Sequence, residues 1–239
     1  MTVSTADFML STLATALGAV IQGISGVGGG FIMVPLLAMI DVSLLPGPFV
    51  FSTIFLSGLM AWRERAHINY KHTAYLMAAI IPGSLLGAWL LAGIPTDSLG
   101  ILFGGLVLLA VLISLLGVHF PLTPFSGVVS GLAAGAMGAT VGIGAPVIAI
   151  LYQRVSGPAV RSTLAFIYTV SSVFILCSLA AFGRFGIAEM QSGVLLVPGL
   201  MLGLLLARPL ALKFDHGATR YIVLGVSALA ALILIVSSW

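Results

Sequence analysis

The chain has 239 residues, of which 60% are hydrophobic and 6% charged, against about 25% charged in an ordinary soluble domain. Together with a mean hydropathy of +1.25, this excludes a soluble globular fold, a disordered chain and a disulfide-stapled secreted domain, and leaves a polytopic membrane protein. The net charge of +3 does not indicate nucleic acid as a partner, because the nine Lys and Arg never form the dense run or stripe that such binding needs.

In chain order, apolar runs set off by Pro, Gly and charged residues predict helices near 8–24, 30–40, 47–62, 73–93, 98–116, 124–139, 145–154, 161–182, 190–207 and 219–238. A bilayer core of about 30 Å takes about 20 helical residues to cross, fewer where a helix is broken or buried among neighbours. Asp7, with no Lys or Arg ahead of the first apolar run, argues against a cleaved signal peptide. The first and second helices are separated by Ser25-Gly26-Val27-Gly28-Gly29-Gly30, and the sixth and seventh by Thr140-Val141-Gly142-Ile143-Gly144-Ala145-Pro146. Both breaks lie in hydrophobic surroundings.

The chain also resembles itself. Gly23-Ile24-Ser25-Gly26 recurs as Gly135-Ala136-Met137-Gly138, Ser52-Thr53 as Ser162-Thr163, Pro82-Gly83 as Pro198-Gly199, Gly87 as Gly203 and Gly104 as Gly225. The order is kept, which predicts two membrane repeats, 1–119 and 120–239, forming one transport domain. If each Gly-broken segment crossed once, Arg63, Arg65, Lys71 and Arg184 would face Arg154, Arg161, Arg208, Lys213 and Arg220, with no bias. If each is a hairpin returning to its starting side, all but Arg184 share one face, which is the asymmetry of cytoplasmic loops. The expected fold is therefore all-α: a helical bundle of two inverted repeats, each a Gly-broken hairpin plus about three spanning helices. Both termini would lie outside.

Backbone N–H and C=O groups cannot be left bare in hydrocarbon, so an interrupted helix persists at membrane depth only where protein or a water-filled cavity satisfies it. A helix restarting at Gly30 or Ala145 aims free N–H groups and its positive dipole end at the break, which suits an anion without any basic side chain. The candidate substrate-binding residues are Gln22, Ser25, Gly26, Gly28, Gly29 and Gly30 at the first break and Thr140, Gly142 and Gly144 at the second. Ser52, Thr53, Ser162 and Thr163 would add hydroxyl donors. Arg161 opens the helix bearing Ser162 and reads as an interfacial anchor or an anion-recruiting cation at the inner mouth. Tyr168 is a weaker candidate. The Gly run lacks the strand and the Lys-Ser/Thr of a nucleotide loop.

The six carboxylates fall at helix ends or in loops, which leaves a carboxylate proton relay unsupported. Cys177 stands alone, and His67, His72, His119 and His216 are scattered, so no cofactor or metal is expected. The same scatter argues against a membrane enzyme acting on lipid phosphate, which needs a convergent nucleophile, acid or metal site.

The run from Gly23 to Gly30 continuing to Pro35-Leu36-Leu37, the Ser52-Thr53 helix after Pro46-Gly47-Pro48, and the looser copy from Gly135 to Pro146 resemble the sulfite exporter TauE/SafE family over nearly the whole chain. The resemblance implies a permease for sulfite, thiosulfate, organosulfonate or related small anions. A permease for a sulfur-free carboxylate is the alternative. The implied mechanism is alternating access, one inverted half moving against the other, with the lipid bilayer and a small anion as the partners.

Overall fold

In the computed structural model, residues 4–70, 73–116, 121–152, 158–211 and 216–238 are described. The described residues form helices α1 (Thr5–Ser25), α2 (Gly29–Ile40), α3 (Gly47–Arg63), α4 (Thr73–Ala92), α5 (Leu99–Leu115), α6 (Pro124–Val141), α7 (Ala145–Leu151), α8 (Pro158–Ala181), α9 (Ile187–Ala211) and α10 (His216–Ser237). Short 3-10 turns at Val42–Leu44, Arg65–His67 and Thr96–Ser98, not expected from the apolar pattern, fill three of the connections. The described residues are all-helical in their regular structure, and six helices among them are long and apolar enough to cross a membrane. Leu, Ile, Val and Phe side chains stand exposed along the outer helix faces. Such a surface needs lipid around it.

Close contacts fix the helix directions. Gly47 lies against Phe185, the Ser57 hydroxyl accepts from Thr169 at 3.1 Å, and Glu64 pairs with Arg161, so α3 and α8 run antiparallel. Gly100 lies against Ser238 and Gly104 against Ala231 and Ile235, so α5 and α10 are antiparallel too. By contrast α4 and α6 run parallel, Gly131 on the Leu76 carbonyl and Gly87 on that of Ala136. Helices α1 and α9 repeat that arrangement, Gly199 on the Thr12 carbonyl and Gly203 on that of Ala16. Gly83 and Gly199, and likewise Gly87 and Gly203, thus take equivalent places. Gly104 and Gly225 do not, since Gly104 is pressed onto α10 while nothing stands within 4 Å of a methyl built on Gly225.

Both Gly breaks turn the chain back. Gly29 and Met33 of α2 pack on Gly18 of α1, and Gly144 packs on the Ala134 carbonyl of α6. Leu151, at the end of α7, clusters with Leu76 and Leu164 near the starts of α4 and α8. Each hairpin therefore returns to its starting end, as the charge distribution predicts. Arg63, Arg65 and Arg161 share one end of the bundle, together with the last turn of α9 bearing Arg208 and the first turns of α10 bearing Arg220. Arg184 lies at the other end, donating to the carbonyls of Leu91, Ala92 and Ile94 at the close of α4. Such a cation caps the negative end of the helix dipole. Lys71, Arg154 and Lys213, along with His72 and His119, lie outside the described residues.

The α4–α6 and α1–α9 seams have a common physical basis. No hydrophobic force drives helices together in lipid, so close backbone approach at small residues supplies the packing. A side chain at Gly83, Gly87, Gly131 or Gly135 would collide with backbone across the α4–α6 seam. Gly135→Val is expected to destabilise the detergent-solubilised protein by about 1–3 kcal/mol, the usual cost of overpacking. Gly105→Ala, which meets nothing within 4 Å, should be neutral or slightly stabilising. Thermal melts of the two variants check the contrast.

Candidate functional site

The first break is a left-handed C-cap. Gly26 closes α1 at φ 80°, its N–H bonded to the Gln22 carbonyl at 2.7 Å, and Gly28 at φ 99° leads into α2. The second repeats this at Gly142, φ 82°, whose N–H bonds the Gly138 carbonyl at 3.0 Å. Residues with a Cβ avoid that region, which explains glycine at both positions. The matching caps equate Gly26 with Gly142. The sequence match of Gly26 to Gly138 is thus displaced by one helical turn, because a Gly-rich helix offers several similar registers.

The breaks reach past each other. Gly26 is pressed against Arg161 near the start of α8, and Gly142 against Phe49 and Val50 near the start of α3, at opposite ends of the bundle. Between them Gly30 approaches Ile143, and there a cavity of about 70 Å³ opens. That is several times the roughly 10–15 Å³ needed to hold one water. Its polar lining comes from four elements: Gln22 of α1, Gly30 of α2, Thr53 and Ser57 of α3, and Tyr168, Ser171 and Ser172 of α8, with the backbone of Gly142, Gly144 and Ala145 closing one side. Tyr168 is the one titratable side chain among these lining residues.

Five of the expected residues therefore meet: Gln22, Gly30, Thr53, Gly142 and Gly144. Ser25, Gly26, Gly28 and Gly29 build the first turn instead. The Ser25 hydroxyl bonds the carbonyls of Ile21 and Val27, which satisfies the unwound backbone locally. Gly29 packs so tightly on Gly18 and Gln22 that a side chain there would open the hairpin. Ser52 donates to Phe49 at 2.7 Å, and Thr140 donates to Ala136 at 2.9 Å, each within its own helix and outside the cavity lining. Ser162 donates to Ala159, and Thr163 accepts the Asn69 N–H at 2.9 Å, holding the segment after α3 against α8 at the basic end. The expectation that both breaks donate amide protons alike meets a second difference. Helix α7 has seven residues and carries Pro146 in its first turn, so it has fewer donors and a weaker dipole than α2.

Ser57, Ser171 and Ser172 were not among the candidates. Their signal is spacing: Thr53 and Ser57 stand four apart, and Tyr168 stands three and four before Ser171 and Ser172, so each set shares one helix face. Most of these hydroxyls are engaged. Thr53 donates to Val50, Ser57 to Thr53, and Ser171 to Ile167. Gln22 and Ser172 differ. They are 8% and 6% exposed, line the cavity, and their side chains make no hydrogen bond to another described residue. Their polar atoms open onto the cavity and are not sealed in protein, so whatever fills the cavity supplies their partner. Tyr168 reaches the Ala145 carbonyl only at 3.5 Å.

No cation reaches the cavity among its described lining residues. Arg161 is held by Glu64 at 2.8 Å, which neutralises that cation at the arginine-rich end of the bundle. The other oxygen of Glu64, Oε2, is buried without a partner. The arrangement can hold a small polar solute through hydroxyl, amide and main-chain donors. Among the described residues, no three His, Cys, Asp or Glu are grouped as a metal site would need.

In the family comparison, the model described as Sulfite exporter TauE/SafE matches residues 11–234. No curated protein and no solved structure matches the chain.

Ser25→Ala should cost about 1 kcal/mol of stability, the usual worth of a hydrogen bond, with solute affinity of the folded protein unchanged. Ser172→Ala should show the reverse, unaltered melting and weakened affinity. Paired thermal-shift and binding measurements separate the turn residue from the cavity residue.

Proposed function

The chain belongs to the sulfite exporter TauE/SafE family, a family of membrane anion transporters, and from that premise we propose that it carries sulfite, thiosulfate or an organosulfonate across the cytoplasmic membrane through the cavity between its two Gly breaks. The observation that carries this reading is the pair of polar side chains, Gln22 and Ser172, that open onto a chamber inside an apolar bundle with no charged residue among its described lining. The N-terminal turn of α2 adds backbone donors. Its N-cap is Gly28, which has no side chain to satisfy them, and Gly30 reaches the cavity wall. Neutral donors suit a transporter, since a fixed buried cation would hold the anion against release.

Two inverted repeats underlie the mechanism. Support comes from the antiparallel contact of α3 with α8 and of α5 with α10, the pairs that correspond between halves, while α1–α9 and α4–α6 exchange into one another. Alternating access follows from such a construction. The tightest seams join helices from different halves, so the moving bodies are α1 with α9 and α4 with α6 rather than one intact half against the other. With the arginine-rich end in the cytoplasm, both termini face outward. A negative-inside potential then favours exit of an anion by about 2.3 kcal/mol per charge per 100 mV.

A panel of labelled sulfite, thiosulfate and methanesulfonate fluxes in proteoliposomes, at several imposed potentials, tests the reading. The native protein should pass at least one of these anions. Gly30→Ala fits the available space, with Ile143 at 3.6 Å from the new methyl, yet shields the α2 amides. It and Ser172→Ala should each lower flux about tenfold, the loss expected for one hydrogen bond to a charged group. Flux of an unrelated carboxylate with none of the sulfur anions would replace the substrate class. Full flux in both variants would remove the site.

A further inference from the structure

We infer that the cavity selects its solute by charge number, accepting a singly charged oxyanion and excluding the doubly charged form, which keeps sulfite (as its hydrogen form) and organosulfonates among the substrates and removes thiosulfate, a dianion at neutral pH. This rests on the reading of the cavity as the binding site. Among the described lining residues there is no Lys, Arg, His, Asp or Glu. The positive potential available is the N-terminus of α2, equivalent to about half an elementary charge. The two best-placed cations are already engaged, Arg161 by Glu64 at 2.8 Å and Arg184 by three carbonyls at the far end of α4.

Desolvation decides the outcome. The cost of taking an ion out of water grows with the square of its charge, so a second negative charge raises it about fourfold, while attraction to a fixed dipole only doubles. Without a buried cation, the second charge has nothing to offset it. The acceptors on the wall point the same way. The Gln22 amide offers an acceptor beside its donors, and the Ala145 carbonyl lies within reach of the same wall. Those oxygens repel a fully ionised oxyanion and accept the proton of one still carrying a hydroxyl. Sulfite passes between these two forms near neutral pH.

The test is competition by two tetrahedral oxyanions of similar size and fixed charge, perchlorate and sulfate, against labelled sulfite flux through the protein in liposomes. Perchlorate should inhibit at a concentration at least about tenfold lower than sulfate. Gln22→Lys, which places a cation on the wall, should narrow or reverse that order, which a general salt effect on the liposome would not. Sulfate inhibiting as well as perchlorate, or neither competing while sulfite flows, overturns charge selection. Absence of sulfite flux before any competitor is added overturns the transport reading itself, and the selection with it.

Discussion

The structure depends on one constraint, that a peptide group inside hydrocarbon must find a partner. The described helices meet it over most of their lengths by internal bonding, except in their first turns and at Pro35, Pro82, Pro198 and Pro209 within α2, α4 and α9. Helices α1 and α6 meet it up to the point where each abruptly ends. There the left-handed caps at Gly26 and Gly142 return one amide each to the preceding turn, and the Ser25 hydroxyl serves the first turn again. What these devices leave over is exposed to a buried chamber. The site is therefore the residue of an accounting problem: backbone and side-chain groups that the fold does not satisfy, gathered where α3 and α8 cross.

That location follows from packing. Small residues along α4, α6, α1 and α9 let backbones touch, and these seams pin both hairpins in place. Because the hairpins enter from opposite ends and overlap, their tips bracket the middle of the bundle. The α3–α8 pair supplies the hydroxyl faces between them. The ion pair of Glu64 and Arg161 sits at the arginine-rich end and is self-neutralised, and no charged residue stands among the described residues that line the cavity. A neutral interior with orphaned donors distinguishes a place where an anion stops briefly from one where it stays.

Much of this was legible in the amino-acid order. Ten apolar runs gave ten helices with ends within a few residues, since Gly, Pro and charge mark boundaries sharply in a chain this apolar. The hairpin return could be read from arginine placement, because one topology gathers the cations and the other scatters them. Gly30 belongs to a run of glycines too dense for packing alone, whereas Gln22 had only its nearness to that run in its favour and could equally have bonded a neighbouring helix. The hydroxyls were harder. Ser52 and Thr53 are adjacent and chemically alike, and both donate to their own helix backbone, yet a rotation of about 100° per residue puts Thr53 on the cavity wall and Ser52 off it. Ser172 lies in an ordinary-looking apolar run, and its lack of a partner emerges only when the neighbouring helices are in place. The correspondence of the two left-handed caps, Gly26 and Gly142, was obscured by the number of glycines in α6.

The most direct measurement is the position of a bound anion. In a crystal of the protein grown with selenite in place of sulfite, anomalous scattering locates the selenium. The account predicts a peak in the cavity, within hydrogen-bonding distance of Gln22, Ser172 and the first turn of α2. A peak beside Arg161 or Arg63 at the basic end, with the cavity unchanged, would contradict it.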